Sequence, residues 1–272
     1  MVNFTRRLLP ILFSGLLLVP LASTVAAEDI PPPPADDAAL LQDGTDLVNM
    51  TNAKRASVGL VDLRMDPALM SIARDRARVM AANDVMSHTE PDGTKVWDRM
   101  NAAGITWYAG GEIIAWNHYP VEYSTAEAIR AWWASPDHHA IMVSTGYNYV
   151  GFGAAVSADG KFYYAGVFAK LPDHTGPWAK FRTLSMRTID STRKRVTVRW
   201  TGADTRLQVL TSGLRYFQIH WRRAGGPWHY WTTTTAIYKS ITLTRGVRYE
   251  FRVRSRDWAG NWSGWRVMSL RP

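Results

Sequence analysis

The 272-residue chain contains no cysteine. Disulfides therefore hold no part of it together, no thiolate serves as nucleophile or metal ligand, and each domain must rest on its own apolar core. Long hydrophobic runs are almost as scarce. The one candidate, Leu8 to Ala22, is interrupted by Pro10 and Pro20 and falls short of the roughly 20 residues that a bilayer span needs. No later stretch is apolar enough to span. Acidic residues are scarce in the C-terminal part: residues 176–272 hold 19 Lys or Arg against 4 Asp or Glu, a net +15. Residues 28–175 show the reverse, 11 against 19, a net −8, so the formal +9 hides two segments of opposite sign. Eight of the 13 tryptophans also lie in the basic segment, which marks it as a separate molecule in composition.

What is present is ordinary for globular protein. Hydrophobic content of 46% and charged content of 20% exclude a disordered or fibrous class. Arg6 and Arg7 precede the short apolar run, and Val25-Ala26-Ala27 offers small residues for cleavage. Residues 1–27 are read as a removable signal peptide, which implies a secreted, extracellular protein without a stable transmembrane anchor. Residues 28–38, with Pro31 to Pro34, read as a stiff extended leader.

Helical periodicity begins at Ala39. Asp66-Pro67 marks a helix start, followed by Leu69, Ile72, Ala73, Ala77 and Met80 at helical spacing. A short stripe of Val96, Trp97, Met100 and Ala103 opens at Thr94 and stops at Gly104. Ala128, Ile129 and Trp132 form a third, ended by Ser135-Pro136, with Ser135 read as a helix cap. Val150, Phe152, Ala154 and Val156 then alternate to a turn at residues 157–160, and Phe162, Tyr164, Gly166 and Phe168 alternate back. Ile105 to Trp116 supplies a further strand. An α+β layered domain over residues 39–170 is expected, then a linker over 171–184. Beyond it the period is 2 at Val196, Val198 and Trp200, at Phe217, Ile219 and Trp221, and at Tyr249, Phe251 and Val253. A small all-β sandwich over residues 185–272 is expected.

Several pieces in order resemble the CAP superfamily of cysteine-rich secretory, antigen 5 and pathogenesis-related proteins. They are Asn52 with Arg55, Leu69-Met70-Ser71-Ile72-Ala73, Met86-Ser87-His88, Gly111-Glu112-Ile113-Ile114, Trp132 with Ser135-Pro136-Asp137-His138, and Val150-Gly151-Phe152-Gly153. The resemblance implies a three-layer α-β-α sandwich with a cleft lined by two histidines and one or two acids able to hold a divalent metal such as zinc. Carried over, these are His88, Glu112 and His138. The position of the family's second glutamate is Arg130 here, and the nearest acid is Glu127. Neutral imidazoles with a carboxylate suit zinc, although no His-Glu-x-x-His helix is present. Of His138 and His139, adjacent on a helix, only one can face the cleft.

The C-terminal segment resembles a fibronectin type III-like sandwich, through Val196 to Trp200 and through Tyr249 to Arg254. Alternation puts Arg252, Arg254 and Arg256 on one strand face, and the strand from Phe217 to Arg223 should lie alongside with His220 and Arg222 on the same face. These arginines either contact a polyanion, such as a cell-wall polymer or acidic glycan, or stack on Trp262 and Trp265 as a structural ladder. No recognised nucleic-acid motif accompanies the charge. The functional expectation is a secreted protein binding a small or lipid-like ligand, and a metal, in its cleft, and more a binder than an enzyme. The alternatives are a metal-dependent hydrolase working through His88, Glu112 and His138, and a structural envelope protein.

Overall fold

The computed structural model describes residues 37–272; the stretch read as a signal peptide and most of that read as a leader lie outside them. The chain divides into two compact units, one of residues up to Pro172 together with Leu207–Leu210, the other of Asp173–Arg206 and Thr211–Pro272. Among the described residues no helix is long and apolar enough to cross a membrane.

The first unit runs α1 (Asp37–Ser57), β1 (Arg64–Met65), α2 (Pro67–Asn83), α3 (Val96–Ala102), β2 (Ala109–Asn117), α4 (Val121–Ala134), α5 (Pro136–Met142), β3 (Tyr149–Val156) and β4 (Phe162–Lys170). The sheet order is β1-β3-β4-β2, with β1 parallel to β3 and the remaining pairs antiparallel. Its alternating residues feed two cores. Val150, Phe152, Ala154, Tyr164 and Phe168 pack with Leu47 of α1 and Ile129 and Trp132 of α4. Ala155, Tyr163, Ala165 and Val167 pack with Leu69, Ile72, Ala77 and Met80 of α2 and with Val96 and Met100 of α3. Helices thus cover both faces, which explains why β3 and β4 are buried almost throughout. Leu207 completes the second of these cores, and Gln208 Oε1 accepts from the backbone N–H of Val61 at 2.9 Å.

Local chemistry sets the helix ends as expected. Asp66 Oδ1 accepts from Leu69 N at 2.9 Å, Pro67 occupies the first turn, and Asp84 closes α2 in the left-handed region at φ 50°. Ser135-Pro136 does end α4, but it also starts α5, which the periodicity did not announce. Residues 151 and 153 face α2, and no side chain fits there. A Cβ on Gly151 would stand 2.2 Å from the Leu69 carbonyl carbon, and one on Gly153 would stand 2.1 Å from Arg74 N.

The second unit is all β: β5 (Trp178–Phe181), β6 (Ser185–Thr188), β7 (Arg193–Ala203), β8 (Leu214–Arg223), β9 (His229–Thr234), β10 (Tyr238–Thr244), β11 (Tyr249–Asp257) and β12 (Arg266–Leu270). β5 falls in the stretch read as linker. One sheet has the order β10-β7-β5 with β6 also on β7, the other β12-β11-β8-β9. Val196, Val198 and Trp200 meet Phe217, Ile219, Tyr249, Phe251 and Val253 in a single core. Asp173, Asp204 and Asp257 bring carboxylate oxygens within 4.8 Å of one another. Each is held by backbone donors, Ser212 N, Gly213 N and Asn261 N respectively, so together they fasten the loops at that end. Burial raises the Asp204 carboxyl above its ordinary range.

β8 lies beside β11 as expected, in a register that sets Arg252 opposite His220 and Glu250 opposite Arg222. The side chains beyond form an alternating stack. Arg222 and Arg252 lie over the two faces of Trp228 at 4.2 and 4.6 Å, and Arg252 and Arg254 bracket Trp265 at 4.3 and 4.5 Å. Arg254 and Arg256 do the same for Trp262, at 3.9 and 5.3 Å. Arg222 also pairs with Glu250 at 2.6 Å. His220 joins the stack against Trp265 and takes a hydrogen bond at Nδ1 from Arg252 Nη2 at 3.0 Å, so it is neutral there.

Two outcomes follow. Gly153→Ala, which forces α2 off β3, costs about 1–3 kcal/mol in denaturant melts. Burial first, then the charges of Arg252 and Arg254, lower the His220 pKa below its ordinary value of 6.5. As pH falls through that ordinary value, the unfolded chain takes up a proton that the folded one refuses, so stability is lost on the acid side. His220→Gln keeps an acceptor and removes the titration. Its melting temperature therefore falls less than that of the wild type between about pH 7 and about pH 5.

Candidate functional site

The His88–Glu112 pair of the first unit is organised by an arginine on the apolar stripe of α2. Arg76 follows Ile72 and Ala73 at helical spacing, and its side chain is 0% exposed. A buried guanidinium is tolerated only with its donors matched, and here they are. Nε donates to Glu112 Oε1 at 2.8 Å, Nη1 to Glu90 Oε1 at 3.0 Å, and Nη2 to the Ser87 carbonyl at 2.7 Å. Glu90 is shared with Arg99, whose Nη2 donates to Glu90 Oε2 at 2.7 Å. Hydrogen bonds from Arg99 first, and from Arg76, hold the Glu90 carboxyl below its usual range against the effect of burial.

Arg76 thereby fixes Glu112 on β2, and Glu112 fixes His88. The second oxygen, Oε2, lies 2.7 Å from His88 Nδ1. That contact directs Nε2 of His88 away from the carboxylate as a lone-pair donor. His88 keeps 28% of its side chain exposed while Glu112 keeps 3%. From the other side, His138 on α5 is buried, with Nδ1 3.0 Å from Ser135 Oγ. Burial, then the neighbouring charge of His88, lower its pKa. The Ser135 hydroxyl is thus spent on the imidazole, and it makes no capping bond to the helix backbone. His139 turns away, packing on Trp133 at 4.3 Å between ring centres with Nδ1 against the Trp133 carbonyl.

The structure brings His88 and Glu112 into direct contact and sets His138 near enough to feel the charge of His88. It engages Glu127 otherwise: Oε2 accepts from Arg130 Nε at 2.7 Å, the residue standing where the family's second glutamate is expected. Among the described residues, His88, Glu112 and His138 do not gather three ligand atoms within 4.8 Å. Both oxygens of Glu112 are already occupied, so the free ligand atoms are the Nε2 nitrogens of the two histidines. A groove of about 520 Å³ runs between α1 and α4, lined by Met50, Ala53, Ala126 and Ile129 and rimmed by Lys54 and Arg130. Periodicity missed Arg76, although an arginine on a buried stripe is itself a signal that a carboxylate must meet it.

Residues 48–168 match the family model described as CAP: Cysteine-rich secretory protein family. The Uncharacterized protein YkwD of Bacillus subtilis (strain 168) is 29% identical over 107 residues, which are 39% of this chain and 40% of that protein. The match thus spans well under half of the curated relative. Among solved structures, an extracellular protein containing an SCP domain from Bacillus anthracis is similar at 21% identity and TM-score 0.44, over 51% of this chain and 45% of that one. An outer surface protein from Borrelia burgdorferi is similar at 22% identity and TM-score 0.43, over 48% of this chain and 93% of that one.

Removing the guanidinium leaves Glu112 buried without its guanidinium partner, and Glu90 with Arg99 alone. Arg76→Met therefore costs about 3–5 kcal/mol, the range for breaking a buried ion pair from one side. His88→Ala, at a partly exposed ring, costs far less in the same urea titration.

Proposed function

We propose that the CAP domain formed by residues 48–168 is a binding module whose cleft presents His88 Nε2 and His138 Nε2 to a ligand, with Glu112 and Arg76 setting the orientation of His88. The observation that carries this reading is the chain Arg76–Glu112–His88, each link at hydrogen-bond distance. A polar chain fully satisfied inside a domain holds its last member rigidly, which is what a recognition group needs. A divalent ion such as zinc suits two imidazole nitrogens, and Glu112 then acts behind His88 rather than as a ligand. When bound, the metal would supply a positive centre that polarises an oxygen of the ligand. Hydrolysis with Glu112 as general base is the weaker reading, because that carboxylate is committed on both oxygens.

The apolar groove between α1 and α4, separate from the histidines, supports a lipid-like ligand, its volume falling in the usual range for small-molecule sites. The apolar run behind Arg6 and Arg7 supports a location outside the cytoplasm. There the second unit, at net +15 over residues 176–272, serves to hold the protein to an anionic envelope polymer and is read as fibronectin type III-like.

Calorimetric titration with zinc tests the cleft. The wild type binds, His88→Ala and His138→Ala each lose tenfold or more, Glu112→Gln loses about 10–100-fold as an outer-shell partner does, and His139→Ala changes little. Equal affinity in the wild type and the His88→Ala, His138→Ala double variant overturns the reading.

A further inference from the structure

The ladder arginines are engaged, which turns attention to the other sheet of the second unit. Val196, Val198 and Trp200 point into the core, so Arg195, Thr197 and Arg199 of β7 share the outer face at about 6.8 Å intervals. Across the strand boundary, Arg187 of β6 is the direct register partner of Arg195. Like charges placed opposite each other in a sheet are destabilising. Arg182, exposed, lies alongside Arg199 and donates its backbone N–H to the Arg199 carbonyl.

Nothing in the unit neutralises this row. The four acids of residues 176–272 are committed elsewhere: Asp190 to Arg193 at 2.7 Å, Glu250 to Arg222, Asp204 to Gly213 N, and Asp257 to Asn261. Among the described residues, Arg187, Arg195 and Arg199 form no ion pair, and all three are exposed. The remaining partners on the face are hydroxyls. Ser185 and Ser240 flank Thr197, Thr242 lies opposite Arg195, and Thr197 Oγ1 stands 2.8 Å from Ser240 Oγ. Tyr238, opposite Arg199, lies under its guanidinium at 5.3 Å.

We infer that this face of β6, β7 and β10 is the docking surface for an extended acidic polysaccharide, with Arg187, Arg195 and Arg199 as its carboxylate contacts. This rests on the reading that the second unit attaches to a polyanion, and it moves the contact from the arginine–tryptophan stack to the opposite sheet. A guanidinium fork takes a carboxylate through two parallel hydrogen bonds, and the row of hydroxyls between the arginines suits the hydroxyls of a sugar chain. Single-stranded nucleic acid fits less well, since it needs a run of aromatic platforms, and this face offers one tyrosine, Tyr238, whose ring lies under Arg199. The bound carboxylates also supply the counter-charge that the Arg187–Arg195 pair lacks.

The test uses the full chain and polygalacturonate as probe, with sedimentation at about 50 mM and about 500 mM salt. The wild type binds at low salt and is released at high salt, because exposed charge contacts are screened. The triple variant Arg187→Gln, Arg195→Gln, Arg199→Gln loses affinity tenfold or more, while its melting temperature holds or rises as the like-charge pair is removed. Arg252→Gln with Arg254→Gln does the opposite, lowering the melting temperature and keeping the affinity. Wild-type binding that survives in the triple variant but fails in the ladder variant overturns the assignment of the face and leaves polyanion attachment standing. No wild-type binding at low salt overturns attachment itself. Equal or tighter binding to duplex DNA through the same three arginines overturns the polysaccharide.

Discussion

A single dry guanidinium organises the first unit. Arg76 leaves α2 among Ile72, Ala73 and Ala77 and reaches Glu112 on β2, Glu90 in the loop before α3, and the Ser87 carbonyl beside His88. The contacts tie the loop between α2 and α3 to β2, and the side chain that makes them is 0% exposed. The helix can be so close only because Gly151 and Gly153 let its backbone rest on β3. The packing of α2, the path of the loop carrying His88 and the direction of the His88 ring are therefore one constraint. The cysteine-free domain obtains this fixation by internal ionic matching, without a covalent cross-link.

The second unit solves the reverse problem. It has too few acids to match its arginines, so tryptophan faces take over the role of counter-charge along β11 and β8. Trp228, Trp265 and Trp262 each sit between two guanidinia, spacing like charges that would otherwise repel. The result lowers the pKa of Arg252 and Arg254, through burial first and neighbouring charge second for Arg252. The two sheets thus treat the same residue type differently, one shielding its arginines with aromatic rings and the other leaving them open.

Periodicity made the helices α2 and α4 and the hairpin β3–β4 readable, because one apolar face per element was enough to reveal each. Alternation also placed the arginines of β11 on one face, while the pairing of β8 with β11 came from the fibronectin type III resemblance and its register from the structure. Three features were hidden for physical reasons. Arg76 looks like a surface residue until its two carboxylate partners are brought in from 14 and 36 residues away. α5 is too short to show a stripe and follows directly on a Ser-Pro signal that also reads as an ending. Trp228 joins the ladder from a loop before β9, outside any alternating run. His88, Glu112 and His138 were located by resemblance rather than by pattern. Glu127 was located by nearness in sequence, and its carboxylate lies instead against Arg130.

The four residues Leu207–Leu210 bear on how the chain is made. They belong to the first unit, where Leu207 is 3% exposed and the Val209 carbonyl accepts from Asn148 Nδ2. They are synthesised only after β5, β6 and β7, a delay of seconds at roughly 5–20 residues per second. Through that interval the N–H of Val61 and the pocket meant for Leu207 stand open. The unit nearest the start of the chain is therefore not the first to be finished, and its completion is timed by the appearance of a segment encoded well downstream.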